Sequence, residues 1–520
     1  MVLAELPLWI RHGSDADLKK AASINLWKGD QKCAIYSLDA HPPLLATAGG
    51  DGAVRLWNTN ELFTAKHPGK VSEDGKYVSS SSSSSGESDD GSNATRNVSP
   101  AAVHDLSNVV RRKKDGSSPS RTSKMSNAVG AVPDQATDLT KTASKDQPLK
   151  KRRLLCTLSA HTGSSVLAIR FSPSGKYLAS GGDDSAVCIY TESAVSEQWS
   201  RILLCRGHSL DVVDLAWAPD DSHLVSCSLD SETPIIVWKL TDLLEGKTSQ
   251  SMIMNPFMVL GKTEHTSTVK GVCFDPAGSY FASSGDDPAI CVWRARDDWG
   301  LEHRIGPASG IVRTWKTKGK ENNEDTEALS ASQSMFRRLC WATDGSFICS
   351  TNAVVKNKHV ASTISRDGWA VSTARQVAAG AANLVGHKQP VVVTREAPVL
   401  LDTKSRDADS GDESDDGEQQ RSDSMVALGD RKGFVTIWST SRSRPIFKLQ
   451  CSETKSTVTD LSWGILPATA QKGEAMMLAV SLLDGQVVTI RFDVPSELGP
   501  FLDNNQHSRI FQRKYGIELD

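Results

Sequence analysis

The stretch GHSLDVVDLAWAPDDSHLVSCSLDS, residues 207–231, is the most informative part of this chain about its fold. It holds a histidine, serines and aspartates, which are the residue types of a hydrolase triad. The alternative is that the same side chains form a hydrogen-bonded network that supports a β-sheet. The two interpretations can be separated, because a chain needs a catalytic triad once, whereas a structural network recurs with every copy of a repeat.

Related stretches lie on both sides of this one. LAIRFSPSGKYLASGGDDSAVCIY (residues 167–190) precedes it, and KGVCFDPAGSYFASSGDDPAICVW (residues 270–293) follows it. In each copy a short apolar strand ends in an aromatic residue, a serine follows nine residues later, and an aspartate follows four residues after that. A histidine precedes each serine by 18 or 19 residues. The recurring residues are His161, Ser180 and Asp184, then His208, Ser226, Asp230 and Trp238, and then His265, Ser283, Asp287 and Trp293.

An earlier copy, YSLDAHPPLLATAGGDGAVRLW (residues 36–57), keeps Thr47, Asp51 and Trp57 at similar offsets but has no matching histidine. Short alternating strands separated by turn residues are typical of four-stranded antiparallel units. The recurrence favours the structural network. In it we expect the aspartate to accept from the histidine ring, the histidine to bond the hydroxyl, and the hydroxyl to reach the indole N–H. The sequence therefore predicts no catalytic residues.

The pattern resembles the WD40 repeat family, whose fold is a β-propeller. The strand-ending tryptophans and the pairs Gly207–His208 and Gly386–His387 carry this resemblance. Weaker copies follow, and they are FRRLCWATDGSFICSTNA (336–353), NLVGHKQPVVV (383–393) completed by MVALGDRKGFVTIW (425–438), and TVTDLSWGILP continued by MMLAVSLLDGQVVTIRF (457–492). The prediction is an all-β, seven-bladed WD40 propeller with two long disordered insertions. Either residues 8–10 or residues 24–27 are expected to supply the outer strand of the last blade.

Composition divides the chain into five parts. We expect an N-terminal segment and first blade over residues 1–59, and a Ser-rich, basic insertion over residues 60–150. The second blade to the start of the sixth would occupy residues 151–401, followed by an acidic insertion over residues 402–424. The rest of the sixth blade, the seventh blade and a tail would occupy residues 425–520. Both insertions have few large apolar residues, so the sequence predicts that they are disordered.

Charged clusters within the insertions have two interpretations each. The basic clusters consist of Arg111, Arg112, Lys113 and Lys114, and of Lys150, Lys151, Arg152 and Arg153. Their composition is that of nuclear import signals, and the alternative is a solvated run of charge. The acidic insertion is typical of segments that bind basic partners such as histones, and the alternative is a solubilising loop.

Composition also limits the function classes. The net charge of −3 gives no overall attraction to DNA or to anionic membranes, and direct sequence-specific DNA binding is not expected. The ten cysteines lack zinc-ligand spacing, and several lie in apolar runs, which favours free thiols in a reducing compartment. Without an apolar run of membrane-spanning length, the expectation is a soluble intracellular protein. No phosphate-binding or dinucleotide-binding motif occurs, so neither a cofactor nor a metal ion is expected.

The chain also resembles the HIRA/Hir histone-regulator family. The third and fourth blades, the order of the degenerate later blades with ASTISRDGW (361–369), and the tail elements LLDGQVVTIRFDVPSELG and SRIFQRKYG carry this resemblance. It implies a nuclear, non-enzymatic scaffold subunit of a histone chaperone complex. That family deposits H3–H4 independently of replication and represses histone genes, and its propeller docks a ubinuclein/Hpc-type subunit. Histones H3–H4 would then be bound through the complex.

Two alternatives remain open. One is the WD40 subunit of chromatin assembly factor 1, and the other is a general WD40 adaptor such as a substrate receptor of a cullin ubiquitin ligase. The chain ends at Asp520, before the downstream regions of the HIRA/Hir family, so direct contact with a second histone chaperone is not predicted.

Overall fold

Short, apolar strands dominate the structure, which is a computed structural model. It describes residues 2–5, 7, 10, 12, 33–63, 70–71, 77–78, 153–161, 163–193, 198–241, 252–287, 289–306, 334–355, 358–369, 383–402, 422–440, 442–452, 454–467, 475–493 and 500–517. All of them belong to one of the two structural units of the chain, formed by residues 1–80 and 136–520.

Seven antiparallel sheets, the blades, follow one another along the chain. Blade 1 consists of β2 (Ile35–His41), β3 (Leu44–Gly49), β4 (Val54–Asn58) and β7 (Leu154–Leu158). Blade 2 contains β8 (Val166–Phe171), β9 (Tyr177–Gly182), β10 (Ala186–Glu192) and β11 (Trp199–Arg206). Blade 3 contains β12 (Val212–Trp217), β13 (His223–Ser228), β14 (Ile235–Lys239) and β16 (Met258–Leu260).

The next three blades repeat this order. Blade 4 contains β17 (Val269–Phe274), β18 (Tyr280–Gly285), β19 (Ile290–Arg294) and β20 (Leu301–Ile305). Blade 5 contains β21 (Cys340–Trp341), β22 (Phe347–Val355), β23 (Lys358–Ser365) and β24 (Leu384–His387). Blade 6 contains β25 (Val391–Glu396), β28 (Met425–Asp430), β29 (Phe434–Ser439) and β30 (Phe447–Gln450).

Blade 7 closes the ring with the start of the chain. It consists of β31 (Val458–Leu466), β32 (Ala475–Leu482), β33 (Val487–Asp493) and β1 (Val2–Glu5). β1 pairs antiparallel with β33, so residues 2–5 and residues 489–492 share one sheet. The first strand of each blade lies innermost, and the first strand of blade 1 contacts that of blade 7. The predicted seven-bladed, all-β propeller is confirmed.

The prediction of the closing strand was wrong. Val2–Glu5 provides it, because an outer strand needs backbone pairing rather than a large apolar surface. Ile10 is buried in the core of blade 1, where it packs in one cluster with Leu38 and Leu45. Residues 8, 9 and 24–27 lie outside the described residues.

Two predicted boundaries also differ from the structure. β7, which the predicted boundaries assign to the later blades, is the outer strand of blade 1, with Val54 opposite Leu158. The first blade is therefore completed only after the Ser-rich insertion. The predicted disorder falls mostly outside the described residues, but the ends of the acidic insertion pair as β26 (Leu401–Asp402) and β27 (Ser422–Asp423). Within the Ser-rich insertion, β5 (Lys70–Val71) pairs with β6 (Tyr77–Val78).

Most blade strands are buried on both faces, because each sheet packs between two neighbours. All six residues of β8 and all six of β28 are buried. Continuous apolar runs therefore replace the simple alternation of a half-exposed sheet. All ten cysteines are free thiols, and Cys188, Cys227 and Cys291 are buried among the strands.

A fifth strand extends blade 2. β15 (Met252–Met254) pairs parallel with β11, with Leu204 opposite Ile253. β15 belongs to the connection between the third and fourth strands of blade 3, so this connection crosses between two blades. The sequence predicted units of four strands.

An α-helix, α1 (Asn504–Tyr515), follows blade 7. Asp503 and Gln506 form a capping box at its start, and Gly516 ends it with a φ of 67°, a conformation that favours glycine. Ile510 and Phe511 are its buried residues. The helix packs on blade 5 at Gly345, where an added Cβ atom would lie 3.2 Å from the Phe511 ring.

Candidate functional site

The repeated polar residues form a complete network in blade 4. Nδ1 of His265 lies 3.0 Å from Oδ1 of Asp287, and Nε2 lies 2.8 Å from Oγ of Ser283. The indole nitrogen of Trp293 donates to the same Ser283 oxygen over 2.9 Å. The network thus satisfies buried polar groups where the strands meet their connecting turns.

Blade 2 has the same network with a tyrosine at its end. His161 lies 2.8 Å from Asp184 through Nδ1 and 2.8 Å from Ser180 through Nε2. The Tyr190 hydroxyl lies 2.9 Å from Oγ of Ser180. A phenol therefore occupies the position that an indole has in blade 4.

Blade 3, which contains the stretch of residues 207–231, departs from the expected pattern. Nδ1 of His208 donates to the Thr233 carbonyl over 2.7 Å, while Nε2 lies 2.7 Å from Oγ of Ser226. Asp230 does not accept from the ring and instead accepts from the backbone N–H groups of Ser209 and Glu232. The residues between Asp230 and β14 place a carbonyl where the other blades place a carboxylate.

The hydroxyl of Ser226 is unsuited to nucleophilic attack. Ser226 has no exposed surface, and its oxygen also accepts from the indole of Trp238 over 2.9 Å. Burial lowers the pKa of His208 to about 4, although the Thr233 carbonyl and Asp230 oppose that shift. The ring is therefore neutral near pH 7, and it connects β13 with the turn that precedes β14.

Blade 1 recruits a histidine that sequence analysis missed. His12 lies 2.7 Å from Asp51 through Nδ1 and 2.9 Å from Thr47 through Nε2, and Trp57 donates to Thr47 over 2.8 Å. Arg55 also contacts Asp51, with 2.6 Å between Nη1 and Oδ2. His12 precedes Thr47 by 35 residues rather than 18 or 19, so spacing alone did not identify it.

Blade 6 also has a network that the sequence marked only by its Gly386–His387 pair. His387 lies 3.0 Å from Asp430 and 2.8 Å from Thr436. Trp438 donates to the Thr436 hydroxyl over 2.9 Å. Thr436 and Trp438 lie on the same strand, β29, whereas the other networks take the hydroxyl from the second strand. The acidic insertion separates this histidine from its partners in sequence.

A single arginine closes the centre of the propeller. Arg338 is fully buried, and its guanidinium donates to the carbonyls of Tyr36 (2.9 Å), Thr459 (2.6 Å), Leu167 (2.8 Å) and Val213 (3.2 Å). These carbonyls belong to the innermost strands of blades 1, 7, 2 and 3. The Phe336 ring covers the guanidinium, with 3.9 Å between its centre and the guanidinium carbon. The side chain thus joins four blades across the central channel.

Buried carboxylates balance this charge. Asp214 and Asp460 are fully buried and lie 3.3 and 3.2 Å from Arg338. Arg170 bridges the same two carboxylates at 3.0 and 2.7 Å, and Arg395 contacts Asp460 at 3.0 Å. Burial opposes ionisation of Asp460, yet the three arginines hold its pKa far below the ordinary value. Each of the two carboxylates thus has at least two guanidinium partners, and such pairing offsets the cost of burying charge.

A second arginine, Arg366, is enclosed by aromatic rings where blades 4 and 5 meet α1. The guanidinium carbon of Arg366 lies 5.0 Å from the centre of the Tyr280 ring, 5.7 Å from that of Trp341 and 4.4 Å from that of Tyr515. Nη1 of Arg366 also lies 2.8 Å from the buried carboxylate of Asp275. We call these residues the Arg366 cage.

The remaining predicted site residues are the basic clusters. Arg153 is exposed, and its carbonyl accepts from the Asn58 N–H over 2.9 Å. Arg111, Arg112, Lys113, Lys114, Lys150, Lys151 and Arg152 lie outside the described residues.

Within the described residues, no group of three or more histidine, cysteine, aspartate or glutamate side chains is placed to hold a metal ion. No helix in this part of the chain is long and apolar enough to cross a membrane.

Seven blades, five of which have a histidine network at their turns in the described residues, define a WD40-repeat β-propeller. This is a class of mostly non-enzymatic scaffolds that present binding surfaces. Two family models match the chain, "WD domain, G-beta repeat" over residues 22–58 and "CAF1B/HIR1 beta-propeller domain" over residues 114–498. The chain belongs to the CAF1B/HIR1 beta-propeller family, and the predicted resemblance is confirmed.

Relatives with curated names agree. Protein hir-1 of Neurospora crassa is 32% identical over an alignment of 392 positions, which covers 72% of this chain and 33% of the relative. Protein HIR1 of Eremothecium gossypii is 33% identical over 71% of this chain and 42% of the relative. Protein HIR1 of Chaetomium globosum is 27% identical over 98% of this chain and 36% of the relative. The chain thus spans about a third to two fifths of the length of these relatives.

Proposed function

We propose that this chain is a scaffold subunit of a HIRA-type histone chaperone complex. Such a complex deposits H3–H4 independently of replication, assembles nucleosomes and represses histone genes. The observation that carries the proposal is the match to relatives named HIR1 over about 70% of the chain, within a fold that presents surfaces to partners. The expected partners are a ubinuclein/Hpc-type subunit and, through the complex, histones H3–H4.

The proposed role requires no catalysis. Its support comes from the recurring networks, in which buried hydroxyls such as that of Ser226 already have two partners. Replacing His208 or Ser226 should therefore lower the free energy of unfolding by about 1–3 kcal/mol for each buried group left unpaired. No enzymatic turnover should be lost.

The family description also names CAF1B, so the WD40 subunit of chromatin assembly factor 1 is the closest competing assignment. A cullin ubiquitin-ligase adaptor is the competitor from another class. The relatives named above all carry the HIR1 name, which favours the HIRA-type assignment.

Partner identity tests the proposal. The tagged chain is purified from nuclear extract and its partners are identified by mass spectrometry, with the tag alone as control. We expect a ubinuclein/Hpc-type subunit together with H3–H4. Recovery of the other chromatin assembly factor subunits, or of a cullin adaptor, would contradict the HIRA-type assignment.

Nuclear localisation is part of the same proposal, and the basic clusters are its proposed signals. Alanine replaces Arg111, Arg112, Lys113 and Lys114 in one variant, Lys150, Lys151, Arg152 and Arg153 in a second, and all eight in a third. The matched control replaces two exposed arginines of α1, Arg509 and Arg513. We expect fluorescent fusions of the third variant to leave the nucleus while the control stays; a nuclear third variant would remove the import role.

A further inference from the structure

The segment from Met252 to Leu260 joins the outer edges of two blades. β15 adds to blade 2, where Met254 lies opposite Cys205. The chain then turns, and β16 pairs with β14 as the outer strand of blade 3, where Ile235 lies opposite Leu260. We call this stretch the bridging segment.

The bridging segment concentrates exposed apolar side chains. Ile253 is 66% exposed, Phe257 46% and Val259 41%. These are three of the seven large apolar side chains that are exposed in the described residues, and they lie within nine residues of sequence. Such a concentration marks a binding surface more often than single exposed residues do.

The backbone of β15 is also open on one side. Among the described strands, β15 is the last strand of its sheet, and its backbone pairs only with β11. An edge strand whose outward N–H and C=O groups lack protein partners can pair with an extended polypeptide. The surface therefore fits a strand better than a helix.

Two exposed cationic side chains, Lys239 and Arg206, lie beside the segment. Lys239 is exposed, and its Nζ lies 5.6 Å from the centre of the Phe257 ring. Arg206 is exposed at the end of β11, beside β15, and its Nη1 donates to the Asp184 carbonyl over 3.3 Å. Lys262, just after β16, is paired with Glu232, so this pair adds no net charge. An incoming strand with acidic side chains would complement Lys239 and Arg206.

We propose that the open edge of β15, with Ile253, Phe257 and Val259, binds an extended acidic segment of a partner protein as an added β-strand. Alternate apolar side chains of that segment would cover the exposed apolar residues, and its carboxylates would face Lys239 and Arg206. This surface is additional to the proposed function and does not depend on the identity of the complex.

Two labelled peptides test the proposal with the purified full chain. One is a nine-residue peptide of alternating valine and glutamate, and the other has lysine in place of glutamate. By fluorescence anisotropy, we expect the glutamate peptide to bind at least tenfold more tightly. Hydrogen exchange should show protection of residues 252–260 on binding. No binding of the glutamate peptide, or protection elsewhere, would overturn the proposal.

Three variants make the test specific. Ile253→Asp should weaken binding at least tenfold, and Lys239→Glu should weaken it several-fold without touching the strand. Val385→Asp is the matched control, because Val385 is 45% exposed on β24, the outer strand of blade 5. We expect it to change affinity less than twofold, with thermal unfolding checked for all variants.

Equal losses in Ile253→Asp and Val385→Asp would overturn the proposal. If Ile253→Asp fails to fold, an unchanged peptide affinity of Lys239→Glu would overturn the proposal instead. Sedimentation of the free chain provides a further check, because a dimer that protects residues 252–260 would assign the edge to a second copy instead.

Discussion

The guanidinium of Arg366 lies 4.4 Å from the centre of the Tyr515 ring. Arg366 belongs to the SRDGW element (residues 365–369), which starts at the last residue of β23 in blade 5, and Tyr515 belongs to the SRIFQRKYG element of α1. These two elements, which are distant in sequence, therefore contact each other directly. Trp369 extends the contact, with its ring centre 5.3 Å from that of Tyr280 and 5.9 Å from that of Trp341. The degenerate sequence of blade 5 thus serves to hold the C-terminal helix.

We expect Arg366→Ala to destabilise the propeller and to release α1. The variant removes the cation from three rings and leaves the carboxylate of Asp275 buried without its ion pair. Burial raises the pKa of Asp275 even with Arg366 present, so an unpaired carboxylate would be costlier. The expected loss in the free energy of unfolding is about 3 kcal/mol. Denaturant unfolding measures it, and hydrogen exchange over residues 504–515 reports on the helix.

Arg509→Ala is the matched control for this prediction, because Arg509 is an exposed arginine on the same helix. It should change stability by less than about 0.5 kcal/mol. Asp275→Asn combined with Arg366→Ala should recover part of the loss, since the buried charge is then absent. Equal effects of Arg366→Ala and Arg509→Ala would show that the cage does not hold the helix.

Arg338→Met should be among the most destabilising single substitutions. Methionine fills similar space, but four carbonyl oxygens lose their donor, and Asp214 and Asp460 lose a neighbouring cation. We expect a loss of at least about 4 kcal/mol, or an insoluble product. Arg338→Lys keeps the charge but has fewer donor directions. Its melting temperature should lie between those of Arg338→Met and the native protein.

Arg513→Met makes the same substitution at an exposed position of α1 and should be nearly neutral. Thermal unfolding of the three purified proteins and their soluble yields give the comparison. A melting temperature of Arg338→Met within two degrees of Arg513→Met would mean that the channel network contributes little to stability.

The sequence revealed the blades because their residues recur at fixed spacing, and it missed contacts that have no period. Ser283, Asp287 and His265 follow the repeat, so their hydrogen bonds could be anticipated from spacing. His12 is 35 residues from its hydroxyl partner, and nothing local marks it as a network member. Arg338 lies in a weak repeat, and its partners come from four other blades. Contacts of this kind depend on ring closure, which a single sequence does not display.

His12→Ala tests whether the distant histidine matters for blade 1. The variant removes the histidine partner of the Thr47 hydroxyl, which keeps its Trp57 contact, and removes one partner of the Asp51 carboxylate. The expected loss is about 1–3 kcal/mol in the free energy of unfolding. The control is His303→Ala, because His303 is exposed on β20. Urea unfolding compares the two, and equal midpoints would contradict the role assigned to His12.

His208 should make stability depend on pH in a defined window. Burial lowers its pKa in the folded protein to about 4, from 6.5 for an unperturbed ring. Between these values the unfolded chain binds the proton and the folded chain does not, so protons favour unfolding. The contribution of His208 to stability is therefore fully present above pH 6.5 and falls as pH decreases toward 4. The loss is on the order of 3 kcal/mol across this window.

The measurement is the free energy of unfolding from pH 7 to pH 4 for the native protein and for His208→Asn. The asparagine variant should be less stable at pH 7, because it cannot bridge the Thr233 carbonyl and the Ser226 hydroxyl with the same geometry. Its stability should nevertheless fall less steeply between pH 6.5 and 4, since it does not titrate there. The exposed-site variant His303→Asn controls for general effects of removing a histidine. Parallel pH profiles of the native protein and His208→Asn would contradict a buried, neutral His208.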